Sequence, residues 1–310
     1  MSAVIKNRKQ FDVIHIHVAW DPISWLSGFL LSFWGVKIIF SPRGEIEKAL
    51  INKKNRLLKT CIYFLFLRRV FRKAYGLHFT SEYEKQQFIE YAGFEPRNAV
   101  ILNPFESDAF AKPVDKSLLS QLGLENKKYF LYLGRVDWKK RADLLIKAFA
   151  EFNQRHPGFY LAILGAGDAD YIQGLKQIAQ GKNIDKQCVI SGDLIYGDLR
   201  LAVFQNAFAF VLPSYSENFG FVAVEAMASK IPLIISDGIG IKDLLSQYGA
   251  ARMFKGGGVQ EGEAVKNLVK EMEAVDEEQN RNQLVQNGQK LILNEFDNTK
   301  IAWQMVNLYL

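Results

Sequence analysis

Cysteine is scarce in this chain of 310 residues: only Cys61 and Cys188 occur, without the spacing of metal ligands. A disulfide framework is therefore disfavoured, and we expect a reduced, cytoplasmic protein. Long apolar runs are also missing, since no stretch approaches the ~20 residues that a membrane-spanning helix needs. The first ten residues lack the apolar core of a secretion signal, so we expect no export signal.

Acidic residues are in the minority. The sequence has 33 of them against 39 lysines and arginines, which gives a net charge of +6. This balance favours an anionic partner such as a nucleotide, a nucleic acid or a membrane surface, without choosing among them. Apolar residues make up 49% of the chain, so a protein of this length can form two domains with separate cores.

The second half of the chain alternates apolar strands with helical patterns, which predicts a parallel α/β sheet. In one unit, a predicted buried strand at 208–212 leads into the polar loop from Ser214 to Gly220 and then into an apolar helix. The helix would aim its free N–H groups at the sheet edge where α/β proteins bind ligands. Gly220 would let a ligand approach the backbone there. Two acids, Glu217 and Glu225, flank the helix start.

These acids allow two interpretations. They can be a loop acid near the positive helix end and a solvated helix residue. They can also belong to a phosphate site that is completed by cations from elsewhere. Arg135 and Lys140 follow a predicted strand that ends at Gly134, and both could reach a diphosphate from that loop. A solvated basic loop is the alternative for this pair.

Three segments resemble motifs of the retaining glycosyltransferases of family 4, which have the GT-B fold. Glu217 and Glu225, with seven residues between them, resemble the E-x7-E motif. The segment 129–149 resembles the strand–GR-x4-K–helix element of that family, and 231–237 resembles its next strand. The three segments stand in the family's order and together cover most of residues 128–245.

The resemblance implies an α/β protein of the GT-B class, with two Rossmann-like domains that face a cleft. The first domain would be 1–110 and would lack the first strands of the family. A linker at 111–127 would lead to a nucleotide-sugar-binding domain at 128–294. The final segment, 295–310, would be a helix that crosses back to the first domain. The first predicted strand would lie at an uncovered sheet edge.

The resemblance also implies roles for the site residues. Arg135, Lys140 and the backbone N–H groups at the helix start would bind the donor diphosphate. Glu217 would hold sugar hydroxyls and face the anomeric carbon, and Glu225 would bind the ribose. The remaining donor-binding residues would be Gly134, Asn218, Phe219, Gly220 and Phe221. We expect no metal and no cofactor, and the sequence does not choose between a UDP-linked and a GDP-linked donor.

Two short features need separate interpretation. Arg141 stands where the family usually has glycine, which could narrow the approach to the diphosphate. The segment Asp168-Ala-Asp170 spells the D-x-D metal signature of a different glycosyltransferase fold. In this context we expect it to be a helix-capping loop.

In the first domain, His17 ends the predicted strand 11–19. The resemblance makes it the candidate catalytic histidine, near the sugar and the acceptor, whereas a buried histidine bonded to backbone is the alternative. We expect His15 to point to the opposite face and to be structural. Arg43 and Gly44 lie in a loop that resembles an acceptor-side segment of the family. Arg43 could meet a phosphate or an acidic acceptor there, or be an ordinary surface arginine.

Residues 48–74 combine cations and aromatic residues without a single acid. A basic helix with aromatic side chains suits an anionic membrane surface, so we expect a peripheral protein on the inner face of the cytoplasmic membrane. The alternative is a domain helix with a buried aromatic face. Nucleic acid is disfavoured, because no recognised nucleic-acid module accompanies the charges. The cations are Lys48, Lys53, Lys54, Arg56, Lys59, Arg68, Arg69, Arg72 and Lys73.

The predicted function is the transfer of a sugar, with retention, from a nucleotide-sugar to a glycan or lipid-linked acceptor. The pathway would be the synthesis of a cell-surface polysaccharide or lipopolysaccharide. Because the first domain is short, the chain could instead be an inactive remnant, or bind donor only beside a second chain that supplies the missing part. A nucleotide-sugar epimerase or a phosphorylase is a further alternative. A glycosidase also uses two carboxylates, but it has no use for a phosphate cradle.

Overall fold

The computed structural model describes Val4, residues 6–47 and residues 55–310. The chain divides into two compact units. The first unit runs to Phe105 and also includes Asp297–Leu310, and the second is Glu106–Phe296. The last helix and the first strand therefore belong to the same unit. No helix among the described residues has the length and apolarity needed to cross a bilayer.

The first unit contains a parallel sheet with the strand order β1-β2-β3-β4. Among the described residues only β2 pairs with β1, so β1 lies at an edge, as the sequence predicts. The strands are β1 (Val13–His17), β2 (Lys37–Ser41), β3 (Gly76–Phe79) and β4 (Asn98–Val100). The helices are α1 (Pro22–Leu31), α2 (Arg56–Ile62), a π-helical turn (Tyr63–Leu67), α3 (Arg68–Lys73), α4 (Glu82–Ala92) and the C-terminal helix α13 (Asn298–Tyr309).

Local sequence explains where these helices begin. Asp21 caps α1 by accepting a hydrogen bond from Ser24 N at 2.8 Å, and Pro22 follows at the first helical position. Ser81 caps α4 by accepting from Glu84 N at 3.1 Å. A turn of 3₁₀-helix, Arg8–Gln10, precedes β1. These caps set the loops that follow the carboxyl ends of the strands.

The second unit contains a six-stranded parallel sheet, which confirms the predicted alternation of strands and helices. The strands are β5 (Lys128–Leu133), β6 (Phe159–Leu164), β7 (Cys188–Ile190), β8 (Ala209–Leu212), β9 (Leu233–Ser236) and β10 (Arg252–Phe254). The α-helices are α5 (Asp108–Ala111), α6 (Ala142–Arg155), α7 (Ala169–Gly181), α8 (Gly197–Gln205), α9 (Phe221–Ala228), α10 (Lys242–Tyr248), α11 (Glu261–Asp276) and α12 (Glu278–Glu295). Turns of 3₁₀-helix occupy Lys116–Leu122, Trp138–Lys140 and Asp185–Gln187.

The strand order of the second sheet indicates where a ligand would be expected to bind. From one edge to the other it reads β7-β6-β5-β8-β9-β10, which is the order of a doubly wound nucleotide-binding sheet. The order reverses between β5 and β8, which pair through Phe130 with Ala209 and Leu131 with Phe210. Ligands bind such sheets outside the carboxyl ends of the strands at this reversal. The loops that follow β5 and β8 are the two that carry Lys140 and Glu217.

Candidate active site

The loop after β5 carries two of the predicted cations, and they differ in their surroundings. Lys140 ends the 3₁₀ turn that Asp137 caps by accepting from Lys139 N at 2.8 Å. The Lys140 ammonium pairs with the Glu217 carboxylate, and these side chains are only 15% and 17% exposed. Arg135 Nε instead pairs with Asp137 Oδ2 at 2.7 Å, and its side chain is 71% exposed. Lys140 is therefore a fixed cation of the site, whereas Arg135 faces solvent at its rim.

Arg141 occupies a backbone conformation that favours glycine. Its φ is +51°, in the left-handed region, which costs a non-glycine residue about 1 kcal/mol. Its Nη1 donates a hydrogen bond to Gly256 O at 2.6 Å. This bond offsets part of the backbone cost and fixes the side chain on the loop after β10.

The loop after β8 is tied to both neighbouring loops. Tyr215 N donates to Lys139 O at 2.7 Å, which joins the loop to the one after β5. Ser236 Oγ, at the end of β9, donates to Ser214 O at 2.5 Å. Ser214 Oγ in turn donates to Glu217 Oε1 at 3.1 Å. The Glu217 carboxylate is thus held by a cation and a hydroxyl.

Two glycines missed by the sequence-based prediction hold the same loop. Glu217 N donates to Gly238 O at 2.9 Å, and Gly240 N donates to Glu217 O at 2.8 Å. A Cβ added to Gly238 would stand 2.3 Å from Tyr215 O, and one added to Gly240 would stand 1.8 Å from Asn218 O. The backbone of Glu217 can be bonded in this way only because both positions lack side chains. The signal in the sequence is a G-x-G that directly follows a predicted strand.

Glycine is required at position 220, at the start of α9, for a reason other than the predicted approach of a ligand. Its φ is +88°, and an added Cβ would lie 3.0 Å from Ile239 Cγ2. Backbone conformation and close packing therefore require glycine here, whether or not a ligand touches it. Phe219 is buried and can face a ligand only through its backbone, whereas the Phe221 side chain is partly exposed.

Glu225 is paired with a cation that the sequence did not point to. The guanidinium of Arg200, on α8, hydrogen-bonds the Glu225 carboxylate. Burial raises the pKa of Glu225 above its ordinary value, and Arg200 opposes that shift. Glu225 is therefore not a solvated helix residue, and Arg200 helps to keep it ionised. Because Arg200 and Glu225 lie 25 residues apart on different helices, no local motif reveals the pair.

We expect Arg200→Met to make the stability of the second unit depend more strongly on pH than in the wild type. Without the guanidinium, the pKa of Glu225 rises further above 4.5, the reference value for an unfolded glutamate. Between these two pKa values the folded state retains a proton that the unfolded chain has lost. The free energy of unfolding then decreases as the pH rises through this window. Thermal unfolding between pH 4 and pH 8 measures the slope.

The matched control is Arg155→Met, which removes a surface arginine paired with Glu273 in the same unit. It should leave the pH profile of the wild type unchanged. Equal profiles for Arg200→Met and the control would show that Arg200 does not govern the ionisation of Glu225.

A cavity of about 630 Å³ lies between the loops that follow β5 and β6, and neither Lys140 nor Glu217 is among its lining residues. Asp168, in its wall, caps α7 by accepting from Asp170 N and Tyr171 N at 3.1 Å each. The predicted helix-capping role of this D-x-D segment is therefore confirmed. Within the described parts of the chain, no three His, Cys, Asp or Glu residues are grouped to hold a metal ion. The cavity is lined by Arg135, Val136, Asp137, Trp138, Lys139, Ala166, Gly167, Asp168 and Tyr171.

The first unit brings His17 and Arg43 together at the carboxyl end of its own sheet. Arg43 Nε donates to His17 Nδ1 at 3.1 Å, and Nη1 donates to Asn103 Oδ1 at 2.6 Å. Gly44 N donates to Glu84 Oε1 at 2.6 Å. Arg43 is thus a bound member of a cluster, and not an ordinary surface arginine. Asn103 was not among the predicted site residues.

These contacts fix the tautomer of His17. A guanidinium can only donate, so Nδ1 of His17 is an acceptor and the ring proton is on Nε2. Burial and the neighbouring Arg43 lower the pKa of His17, so the neutral ring is favoured. The His17 ring is only partly buried and can therefore donate a hydrogen bond through Nε2.

Strained backbone follows His17 directly. Val18 has φ +62°, which is rare for a β-branched residue. The Glu45 carboxylate accepts from Ala19 N at 2.6 Å and from Trp20 N at 2.9 Å, which holds the strained turn. Such strain persists where the surrounding structure imposes it, often at functional sites.

The expectation that His15 points away from His17 was wrong. The two rings stack with centroids 4.2 Å apart, because residues two apart on a strand share one face. Both rings therefore belong to the same surface of the sheet.

His15 belongs to a chain of hydrogen bonds whose direction is fixed. His78 Nε2 lies 2.9 Å from Ile101 O, and since a carbonyl only accepts, this nitrogen carries the proton. His78 Nδ1 then accepts from Ser41 Oγ at 2.8 Å, and Ser41 Oγ accepts from His15 Nε2 at 2.7 Å. His15 Nδ1 accepts from Tyr309 Oη at 2.8 Å. The chain joins α13 to the sheet and is complete only when both rings are neutral.

We expect the first unit to lose stability on acidification at pH values above those at which ordinary carboxylates titrate. Burial lowers the pKa of His15 to about 3 and that of His78 to about 4, from an unfolded value of 6.5. As the pH falls below 6.5, the unfolded chain gains protons that the folded unit does not. The free energy of unfolding therefore falls between pH 6.5 and pH 4. Hydrogen exchange of the first unit across this range measures the loss.

His15→Asn should reduce this pH dependence because one of the two neutral rings is removed. His156→Asn, which changes a histidine of the second unit, should leave it unchanged. A stability that stays constant between pH 6.5 and pH 4 would contradict the neutral chain.

Comparison with known proteins agrees with this architecture. The profile of the family described as glycosyl transferases group 1 matches residues 114–291, and that of a glycosyl transferase 4-like domain matches residues 1–104. Anabaena Alr3699/HepE, solved in complex with UDP and glucose, superposes with a TM-score of 0.78 at 19% identity. That superposition covers 99% of this chain and 80% of the other.

Two curated proteins illustrate the range of similar sequences. A D-inositol 3-phosphate glycosyltransferase of Corynebacterium aurimucosum is 26% identical over 241 residues, which are 72% of this chain and 55% of that protein. The O-antigen chain mannosyltransferase RfbU of Salmonella typhimurium is 29% identical over 113 residues, or 36% and 31% of the two chains. This chain thus spans about half or less of the length of these relatives.

The fold class is therefore GT-B, built from α/β units with parallel sheets, as the sequence motifs predict. The chain belongs to the glycosyl transferases group 1 family.

Proposed function

We propose that this protein transfers a hexose from a nucleotide-sugar to a glycan or lipid-linked acceptor, with retention of the anomeric configuration. The observation that carries the proposal is the Lys140–Glu217 pair at the strand-order reversal of the second sheet. A largely buried cation beside a carboxylate suits a substrate that has a diphosphate next to a sugar. A glycosidase has no use for the cation, because its substrate carries no diphosphate.

The chemistry requires negative charge to be stabilised as the bond between sugar and diphosphate breaks. When the donor binds, the Lys140 ammonium would release the Glu217 carboxylate and pair with the diphosphate instead. The Arg135 side chain, at the rim of the site, would move to contact the same diphosphate. The backbone N–H groups at the start of α9 would add further donors. The released Glu217 carboxylate would then hold sugar hydroxyls and face the cationic anomeric carbon. The acceptor oxygen would attack the face from which the diphosphate leaves, and its proton would pass to the leaving phosphate oxygen.

In the first unit, His17 and Arg43 would serve the acceptor and the sugar. His17 would donate a hydrogen bond through Nε2, and Arg43 would position the ring while its positive charge favours an anionic acceptor. On this proposal neither a metal ion nor a cofactor takes part, because Lys140, Arg135 and the N–H groups supply the positive charge.

The donor class is proposed from the similarity to known enzymes. UDP and glucose are bound by Anabaena HepE, and the name of RfbU describes a mannosyltransferase of O-antigen chains. We therefore propose a UDP-linked or GDP-linked hexose as donor. We place the reaction in cell-surface polysaccharide or lipopolysaccharide synthesis, at the inner face of the cytoplasmic membrane.

A panel of nucleotide-sugars tests this function, with the melting temperature read for each. A bound donor raises the apparent stability by mass action. We expect one UDP-sugar or GDP-sugar to stabilise the protein and to be consumed when lipid-linked acceptor is added. Glu217→Gln should retain the stabilisation and lose the transfer. No stabilisation by any nucleotide-sugar would contradict the proposal.

A second candidate is a donor-binding chain that transfers sugar only beside another chain. The observation that favours it is the open edge of β1, which has a pairing partner on one side only among the described strands. Donor stabilisation without transfer, followed by transfer when a second polypeptide is added, would distinguish this candidate from the first.

A further inference from the structure

One helical stretch of the first unit, 56–73, presents two different faces. It runs through α2, the π-helical turn and α3. Tyr63, Leu67, Val70 and Phe71 are fully buried in the core of the unit. The expected alternative of a domain helix with a buried aromatic face is therefore correct for the inner side. The outer side is different, because Leu57 is 83% exposed, Phe64 60% and Leu65 66%.

The outer face changes character along its length. Residues three or four apart lie on one side of a helix, so 57, 61, 64, 65, 68 and 72 share this face. Its first half is apolar, and its second half is formed by Arg68 and Arg72, with Arg69 and Lys73 beside them. Among the described ion pairs, none joins these cations to a carboxylate. Lys48, Lys53 and Lys54 lie outside the described residues.

A second aromatic residue extends this surface from α1. Phe33 lies two residues beyond that helix and is half exposed. The Arg69 guanidinium lies 3.9 Å over its ring, and Arg69 Nε donates to Ser32 Oγ at 3.1 Å. Arg68 lies 5.9 Å over the ring of Phe64. Cations stacked on exposed aromatic rings form a surface that is both apolar and positively charged.

We propose that this surface, formed by Phe33 and the outer face of 56–73, docks flat on an anionic lipid bilayer. Leu57, Phe64 and Leu65 would enter the boundary between headgroups and acyl chains, and the arginines would lie against lipid phosphates. A bilayer matches both halves of the face, because it offers an apolar layer directly beneath an anionic one. A nucleic acid would match only the cations and would leave the apolar half in water. This proposal names the residues that would contact the membrane, and it rests on the membrane location given in the proposed function.

Flotation with vesicles tests the proposal on the full chain, using phosphatidylglycerol mixed with phosphatidylcholine against phosphatidylcholine alone. Arg68→Gln with Arg72→Gln should lower the partition coefficient on anionic vesicles roughly 30-fold. Leu57→Ser with Leu65→Ser should lower it at least as much, since two apolar side chains no longer enter the bilayer. High salt should weaken binding of the wild type. It should also reduce the difference in partition coefficient between the wild type and the variant with Arg68→Gln and Arg72→Gln.

Matched controls lie on exposed positions of the second unit. Lys182→Gln with Lys186→Gln removes the same charge, and Leu293→Ser removes an exposed leucine. Both should float like the wild type, and all variants should keep the wild-type melting temperature because the changed positions lie at the surface.

Three outcomes would overturn the proposal. They are the absence of binding to anionic vesicles, equal binding to neutral vesicles, and equal losses in the control variants. Binding to duplex DNA or RNA that depends on Arg68 and Arg72, without vesicle binding, would assign the surface to nucleic acid instead. Flotation needs neither donor nor acceptor, so its failure is distinguishable from a failure of sugar transfer.

Discussion

Replacing Lys140 by methionine is expected to lower kcat/KM for sugar transfer by about a hundredfold to a thousandfold. Loss of one preorganised group that receives transition-state charge has an effect of this size. Lys140 is fixed by the capped turn after β5 and pairs with the Glu217 carboxylate, so no other described cation stands in its place. Steady-state rates with the donor found by thermal stabilisation measure the loss.

The same variant should also unfold more easily. The Glu217 carboxylate, which is only 17% exposed, would lose its cation, at a cost of about 2 kcal/mol. The double variant Lys140→Met with Glu217→Gln should recover part of this loss, because the uncompensated charge is removed. Lys147→Met, which breaks a pair with the exposed Glu261, should change neither rate nor stability appreciably. A Lys140→Met enzyme with wild-type kcat/KM would contradict the proposed role.

Gly240→Ala is expected to destabilise the second unit by about 3 kcal/mol or more and to abolish donor binding. The new Cβ would lie 1.8 Å from Asn218 O, and that neighbour is backbone that cannot rotate away. Relief of the clash must displace the loop that carries Glu217 and break the bond from Gly240 N to Glu217 O. Thermal unfolding and nucleotide titration measure the two effects.

Gly174→Ala provides the control, since this glycine lies within α7 and an added Cβ meets nothing within 4 Å. Alanine there should stabilise the protein by about 0.5–1 kcal/mol through its better helix propensity. A Gly240→Ala protein that melts and binds nucleotide like the wild type would show that the close packing of the two loops is not needed.

Much of the second unit is readable in the sequence because its information is local. Apolar strands, glycine turns and the spacing from Glu217 to Glu225 each lie within a short window. Parallel strands then bring their carboxyl ends to one edge without further information. Lys140 and Glu217 lie 77 residues apart in sequence. Their closeness follows from the local sequence pattern of each loop together with the parallel order of the strands.

Other parts of the site depend on contacts between distant segments and were not predicted. Arg200 meets Glu225 across two helices, and Gly238 and Gly240 matter only because another loop packs on them. Arg135 was expected to face a diphosphate, and its pairing with Asp137 depends on side-chain conformation that spacing does not determine. The error on His15 is of another kind, since strand alternation applied correctly places it beside His17.

The central claim is that the strand-order reversal of the second sheet binds a diphosphate through Lys140. Calorimetric titration of UDP and GDP against uridine and guanosine tests it most directly, because the members of each pair differ only in the diphosphate. We expect one nucleoside diphosphate to bind roughly a hundredfold more tightly than its nucleoside, and Lys140→Met to remove most of that difference. Equal affinities of diphosphate and nucleoside, or a difference that survives in Lys140→Met, would contradict the account.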